Sequence, residues 1–117
     1  MHLPIVDDSA AARSGLKALL ETVASYEREL QIFEAANGQE AIDFVEMILP
    51  DVILMDAQMP IRNGIQATRI IKQRWPTIKV VMLTMYPAYE SEALAAGADI
   101  FLLKGCPAED LFSAIFL

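Results

Sequence analysis

The sequence predicts a doubly wound α/β domain in which five parallel strands, in the order 2-1-3-4-5, alternate with five helices. Short apolar runs alternate with segments of helical period, which is the pattern of βαβ units, and no linker, repeat or low-complexity stretch interrupts them. The apolar runs are rich in leucine and β-branched residues throughout, as expected of strands covered on both faces. Four of them end on polar groups: Asp7 and Asp8 after LPIV, Asp56 after DVILM, Thr84 after KVVML and Lys104 after IFLL. In an open α/β sheet the carboxyl ends of the strands form the edge where ligands bind, so these groups share one rim.

The first strand is predicted from Leu3 to Val6. Pro4 has no amide hydrogen and is disfavoured in an internal strand, so ladder pairing is expected to begin only at Ile5. The segment SAAARSGLKALLETVAS then carries Leu16, Leu19, Leu20 and Val23 at helical spacing, with Ser9 as a cap. Strand two is Leu30 to Ala35. Asn37 followed by Glu40 is a capping pattern ahead of the helix AIDFVEMIL, which Pro50 stops. Strand three is Val52 to Met55, and after the loop MPIRNG a helix runs from about Ile65 to Arg74 until Pro76 breaks it. Strand four is Lys79 to Leu83, a short helix spans Ser91 to Ala96, and strand five is Ile100 to Leu103. Pro107 is expected in the first turn of the last helix, with Cys106 at the cap position.

A length of 117 residues and a hydrophobic content of 55% suit one compact domain, residues 1–117. The net charge of −7 and the lack of a Lys/Arg cluster argue against DNA binding by this chain alone. The single cysteine, Cys106, excludes an internal disulfide and fits a reducing compartment. No apolar run reaches the ~18 residues of a membrane span, and no leader pattern opens the chain. These features together predict a cytoplasmic protein without membrane attachment.

The groups on the rim define a chemistry. Two adjacent carboxylates facing a third would repel by about 4 kcal/mol per close pair at an effective dielectric near 20, so a cation is needed to offset them. Magnesium fits best, because it takes hard oxygen ligands and is held by one or two carboxylates together with phosphate oxygens; manganese would also fit. Asp56 is then placed to act as a nucleophile that forms an aspartyl phosphate. Thr84 can donate a hydrogen bond to a phosphoryl oxygen, and Lys104 can neutralise its charge. Taken singly, each residue also has a plain structural explanation as a cap, a turn residue or a solvated charge. Their occurrence together at four independent strand ends is what turn chemistry does not explain.

In its motifs the chain resembles the receiver domains of two-component response regulators, over essentially its whole length: IVDD, DVILMDAQMPIRNG, MLTM and FLLKG. The resemblance implies the flavodoxin-like, or CheY-like, fold and a phosphoacceptor switch rather than an enzyme acting on outside substrates. It implies that Asp56 is the phosphoacceptor and that Asp7 and Asp8 bind magnesium with Asp56 and the backbone carbonyl of Gln58. Thr84 and Phe101 match the switch pair, Lys104 the phosphate-binding lysine, and Gln58 and Tyr86 the positions that tune phosphate lifetime. The implied phosphodonor is a sensor histidine kinase or a small acyl phosphate. The implied output face is the fourth helix, fifth strand and fifth helix.

RSGLKALLE and LLKG followed by CPAEDLFSAI resemble the NarL/FixJ class, whose members carry a helix-turn-helix DNA-binding domain behind the receiver and regulate transcription. Gly105 stands where many receivers have proline, so a trans peptide is expected after Lys104. The chain stops at AIFL within an apolar helical face, which suggests truncation from a longer regulator with its output domain missing. On that view DNA is reached only through the missing domain, and activation can act through a homodimer. The alternative is a stand-alone receiver that docks on a protein partner. An aspartyl-nucleophile phosphatase of the haloacid dehalogenase type is disfavoured, since it needs a second aspartate where Gln58 stands. A nucleotide-binding module is disfavoured because DDSAAARSG holds no glycine-rich phosphate loop.

Overall fold

The computed structural model describes residues 1–24, 29–59 and 61–117, with the backbone alone at 23 and 24. Ser25 at the expected end of the first helix, the side chain of Val23 and Pro60 of the MPIRNG loop therefore lie outside the described residues. In chain order the elements are β1 (His2–Val6), α1 (Ala10–Ala24), β2 (Gln31–Ala35), α2 (Gly38–Ile48), β3 (Val52–Met55), α3 (Gly64–Arg74), β4 (Lys79–Thr84), a 3₁₀ turn (Pro87–Tyr89), α4 (Glu90–Ala95), β5 (Ile100–Leu103) and α5 (Ala108–Phe116). All strand pairs are parallel and the order is β2-β1-β3-β4-β5, the predicted CheY-like sheet.

Side-chain alternation along the strands builds a core on each face. In β3, Ile53 and Met55 join Val6, Val80 and Met82 beneath Val45 of α2, Ile71 of α3 and Ala93 of α4. Val52 and Leu54 point the other way, joining Leu3, Ile5, Val81 and Leu83 under Leu20 of α1 and Leu111 and Ile115 of α5. Each such side chain, fully buried, contributes about 1.5–3 kcal/mol, so the central strands are the most firmly held part of the fold. On the predicted apolar face of α1, Leu20 is fully buried and Leu16 packs at the margin, while Leu19 lies at the rim.

One expectation about β1 is overturned. Pairing with β2 runs continuously from His2 opposite Gln31 to Val6 opposite Ala35, through Pro4 opposite Phe33. The reason is which way the proline nitrogen faces. Backbone groups alternate sides along a strand; Met1 O and Asp7 N bond toward β2, whereas Val6 O accepts from Asp56 N on the β3 side. Pro4 thus turns its missing donor toward β3, and there pairing does begin at Ile5, opposite Leu54. A proline is tolerated in this internal strand because the strand is internal only from Ile5 onward.

Helix starts follow local capping chemistry. The Ser9 hydroxyl accepts from Ala12 N at 3.2 Å, and Asn37 accepts from Glu40 N at 2.9 Å. The Glu40 carboxylate reaches Ala36 N rather than the amide of the cap residue, so α2 begins at Gly38, ahead of the expected AIDFVEMIL. The full capping box occurs instead at Asn63 and Gln66 and starts α3 at Gly64. The last helix is corrected by one position: Pro107 is its N-cap, α5 starts at Ala108, and Cys106 packs half-buried against the second core. The peptide after Lys104 is trans, with Gly105 in the left-handed region at φ 93°.

Candidate functional site

The ladder that aligns β1, β2 and β3 also aligns their ends. Asp7 N donates to Ala35 O at 3.0 Å and Asp56 N to Val6 O at 2.9 Å, so the residues just past β1 and β3 leave the sheet side by side. Asp7 and Asp56 are buried, at 2% and 8% exposure, and Asp8 is exposed above them. One carboxylate oxygen from each of the three lies within 4.8 Å of the others. From the β5–α5 loop the Lys104 ammonium reaches 2.6 Å from Asp7 Oδ2 and 3.3 Å from Asp56 Oδ2. Its own amide donates to Thr84 O at 2.8 Å, which ties the lysine loop to the end of β4.

Burial pushes the Asp56 carboxyl above the ordinary carboxylate range, and the Asp7 charge adds to the rise; Lys104 and the Thr84 hydroxyl oppose it without cancelling it. Burial disfavours the Lys104 ammonium, yet the hydrogen bond to Asp7 and the charge of Asp56 outweigh that and raise its pKa. Three carboxylates against one ammonium leave the cluster at −2. A divalent cation would neutralise it, and an all-oxygen donor set in an open cleft is the set that magnesium takes. The residues present therefore fit a divalent cation.

The cleft, about 570 Å³, is lined by Asp7, Asp8, Ser9, Asp56, Gln58, Met59, Met85, Tyr86 and Lys104. Asp7, Asp8, Asp56, Gln58, Tyr86 and Lys104 were all predicted and are all brought together. Thr84 is buried beside the cleft rather than lining it, and its hydroxyl accepts from Tyr86 N at 3.4 Å. Phe101 does not line the cleft; it packs half-buried at the margin of the core that holds Met82 and Ala93. The Tyr86 ring stands edge-on to Tyr89, 5.9 Å between centroids.

Sequence reasoning missed several supports of the site. Ser9 N donates to Asp7 Oδ1 at 2.9 Å, and Arg13 Nη1 donates to Asp7 O at 2.6 Å. Gly64 packs so closely against Asp56 that an added Cβ would collide with the Asp56 carbonyl, and its amide donates to Ala57 O at 2.9 Å. Gly38 is likewise pressed against Arg62 O, to which its amide donates at 2.8 Å. Between these anchors Ile61 takes a left-handed φ of 66°, a strained conformation for a β-branched residue. The glycines of NGQE and RNG were the available signal, because a glycine at a helix start marks close backbone approach as well as a turn.

A family model described as the response regulator receiver domain matches residues 3–116. The transcriptional regulatory protein LnrK of Bacillus subtilis is 39% identical over 114 residues, covering 95% of this chain and 50% of that protein. The transcriptional regulatory protein DegU of Brevibacillus brevis is 36% identical over 117 residues, covering 98% and 48%. The chain thus spans about half the length of these relatives. Among solved structures, a LuxR-family two-component response regulator from Aurantimonas sp. SI85-9A1 matches with TM-score 0.85 and 29% identity, over 97% of this chain and 81% of that one. A CheY-like receiver domain protein from Methanospirillum hungatei JF-1 matches with TM-score 0.83 and 28% identity, over 97% and 89%.

Proposed function

This chain belongs to the response regulator receiver domain family, and on that premise we propose that it is a signalling switch set by transfer of a phosphoryl group to Asp56. The observation that carries the proposal is the placement of a buried Asp56 carboxylate 3.3 Å from the Lys104 ammonium and beside two further carboxylates in one open cleft. A Asp56 carboxylate oxygen attacks phosphorus. The new P–O bond forms as the P–N bond to the histidine of a sensor kinase, or the P–O bond of an acyl phosphate, breaks with its electron pair on the leaving group. The phosphoacceptor is consumed once per event, so the domain is a switch and not an enzyme with an outside substrate.

Each residue has a distinct task. Asp7, Asp8, Asp56 and the backbone carbonyl of Gln58 would hold magnesium, which when bound supplies charge neutralisation for the phosphoryl oxygens. Lys104 stands ready to pair with a phosphoryl oxygen, exchanging its contact with Asp56 for one with the modified side chain. Thr84 can donate its hydroxyl proton to another phosphoryl oxygen while the oxygen accepts from Tyr86 N, and Phe101 can take up the space beneath. Gln58 and Tyr86, facing the cleft, control access of water and so the lifetime of the phosphoryl group.

The output extends beyond this chain. Relatives that are twice as long are transcriptional regulators by name, so we assign the switch to transcription control through a DNA-binding domain elsewhere in the protein, with dimerisation on activation. Among the described residues no helix is long and apolar enough to cross a membrane, and the proposed site of action is the cytoplasm. Incubation with acetyl phosphate and magnesium, followed by intact-mass measurement, tests the central step. The wild type is expected to gain one phosphoryl group and Asp56→Asn none; equal gain by both, or none by the wild type, would sink the assignment.

A further inference from the structure

We propose that Arg13 is a positioning residue for the metal-binding carboxylates, setting the orientation in which Asp8 is presented to the cation. The proposal rests on the cleft being the divalent-cation site described above. Arg13 Nη1 donates to the backbone oxygen of Asp7 at 2.6 Å, and its Nε donates to Glu34 Oε1 at 3.1 Å. Glu34 precedes Ala35, the last residue of β2, whose carbonyl accepts from Asp7 N. The guanidinium therefore bridges α1, the end of β1 and the end of β2.

The Asp7 carbonyl needs such a donor. It lies past the end of the β1–β2 ladder, and among the described residues the donor that reaches it is the Arg13 guanidinium rather than a strand amide. Asp7 is then held at every polar atom: its amide by Ala35, Oδ1 by Ser9 N, Oδ2 by Lys104 and its carbonyl by Arg13. The peptide that follows is planar, so fixing the Asp7 oxygen also fixes the direction in which Asp8 leaves the strand. Asp8 is exposed and makes no hydrogen bond or ion pair among the described residues. Nothing but its backbone aims its carboxylate.

A surface ion pair of Arg13 with Glu34 would by itself count for little. Charge alone also predicts the opposite sign, because a guanidinium beside the cleft repels a divalent cation. Positioning and simple electrostatics are thus separable by the direction of the effect.

The test is calorimetric titration of the chain with magnesium chloride alone, for the wild type, Arg13→Met, Arg13→Lys and Glu34→Leu. Positioning predicts affinity about 10-fold weaker in Arg13→Met, the size seen when an outer partner of a metal site is lost. Arg13→Lys should recover part of this, and Glu34→Leu, which leaves Arg13 unanchored, should weaken binding severalfold. Phosphoryl uptake from acetyl phosphate at saturating magnesium should stay within about twofold of wild type, the loss appearing only as a raised magnesium requirement. Unchanged or tighter magnesium binding by folded Arg13→Met overturns the proposal, whatever its Tm; if that variant does not fold, wild-type affinity in Glu34→Leu overturns it. A wild type that binds no magnesium refutes the cation site itself, which is a different failure.

Discussion

Lys104→Met isolates the electrostatics of the cleft. Methionine keeps most of the length of the lysine and removes only the ammonium. At an effective dielectric near 20 the ammonium attracts Asp7, at 2.6 Å, by about 6 kcal/mol and Asp56, at 3.3 Å, by about 5 kcal/mol before any desolvation is counted. Desolvating the ammonium offsets much of this, since its side chain is only 25% exposed. Removing it leaves two buried carboxylates within 4.8 Å of each other, which repel by at least about 3.5 kcal/mol at the same dielectric. The quarter of Lys104 that meets water, and the option of protonating one carboxylate, reduce the net loss to about 2–3 kcal/mol.

Urea unfolding in EDTA at pH 7 reads this directly, with Trp75, packed against the first core, as the fluorophore. With a slope of about 1–2 kcal/mol per M, the midpoint should fall by about 1–3 M and the slope should not change. The deficit should shrink as pH falls, because the crowded carboxylates take up a proton more readily in the native than in the unfolded state. Magnesium should stabilise the variant more than the wild type, since it supplies the missing positive charge. A variant within about 0.5 kcal/mol of wild type in EDTA would refute the coupling of the three side chains. So would a magnesium effect no larger than in wild type.

Three other substitutions probe separate parts of the structure. Because burial raises the folded pKa of Asp56, its charge opposes folding above the ordinary carboxylate range; Asp56→Asn should be the more stable protein at pH 7 in EDTA. That advantage should disappear as pH falls through the raised folded pKa, where the wild-type native state gains its proton, and thermal melts from pH 4 to 8 would show a constant gap if the sign were wrong. Thr68 Oγ1 is the buried side-chain polar atom without a hydrogen-bond partner among the described residues, so Thr68→Val should stabilise by about 1 kcal/mol in urea melts. Gly64→Ala forces a Cβ onto the Asp56 carbonyl and should cost about 3 kcal/mol, while also slowing phosphoryl uptake in the fraction that folds.

The sheet and the reactive groups were legible for one reason. Strand runs that are apolar to their last residue let the first polar residue beyond each mark the rim. Asp7 and Asp56 follow the buried β1 and β3, Lys104 follows the apolar but half-exposed edge strand β5, and their conjunction was the signal. What escaped depends on directions that a linear pattern does not carry. The expectation that ladder pairing begins only at Ile5 holds toward β3 and fails toward β2, because which neighbour a backbone nitrogen faces follows from register, and register is a property of two strands. Arg13 lies seven residues before the buried Leu20, on the sheet-facing side of α1 and with its side chain only 17% exposed, but a linear pattern does not show which backbone oxygen its guanidinium reaches. Cys106 was placed at a cap that Pro107 occupies, within the one-residue uncertainty of any helix end.

The supports of the cleft are distributed unevenly, and this bears on where an added charge at Asp56 can act. On one side Asp7 is held at every polar atom, Gly64 and Gly38 lock the loop after β3, and Lys104 is tied to β4. On the other side Met85 and Tyr86 are 69% and 51% exposed, and the 3₁₀ turn and α4 that follow have no side-chain cap. The helix α4 is six residues long and buries only Ala93. Segments with so little buried apolar surface open at the smallest free-energy cost. A phosphoryl group adds about 1.5 to 2 negative charges, and packed β1, β3 and their loops cannot yield to it without losing core contacts. Thr84, whose hydroxyl receives the Tyr86 amide, joins the rigid side to the loose one. If Asp56 is phosphorylated as proposed, the outlet for the new charge would be the β4–α4 segment, and the α4, β5 and α5 face the surface it would remodel.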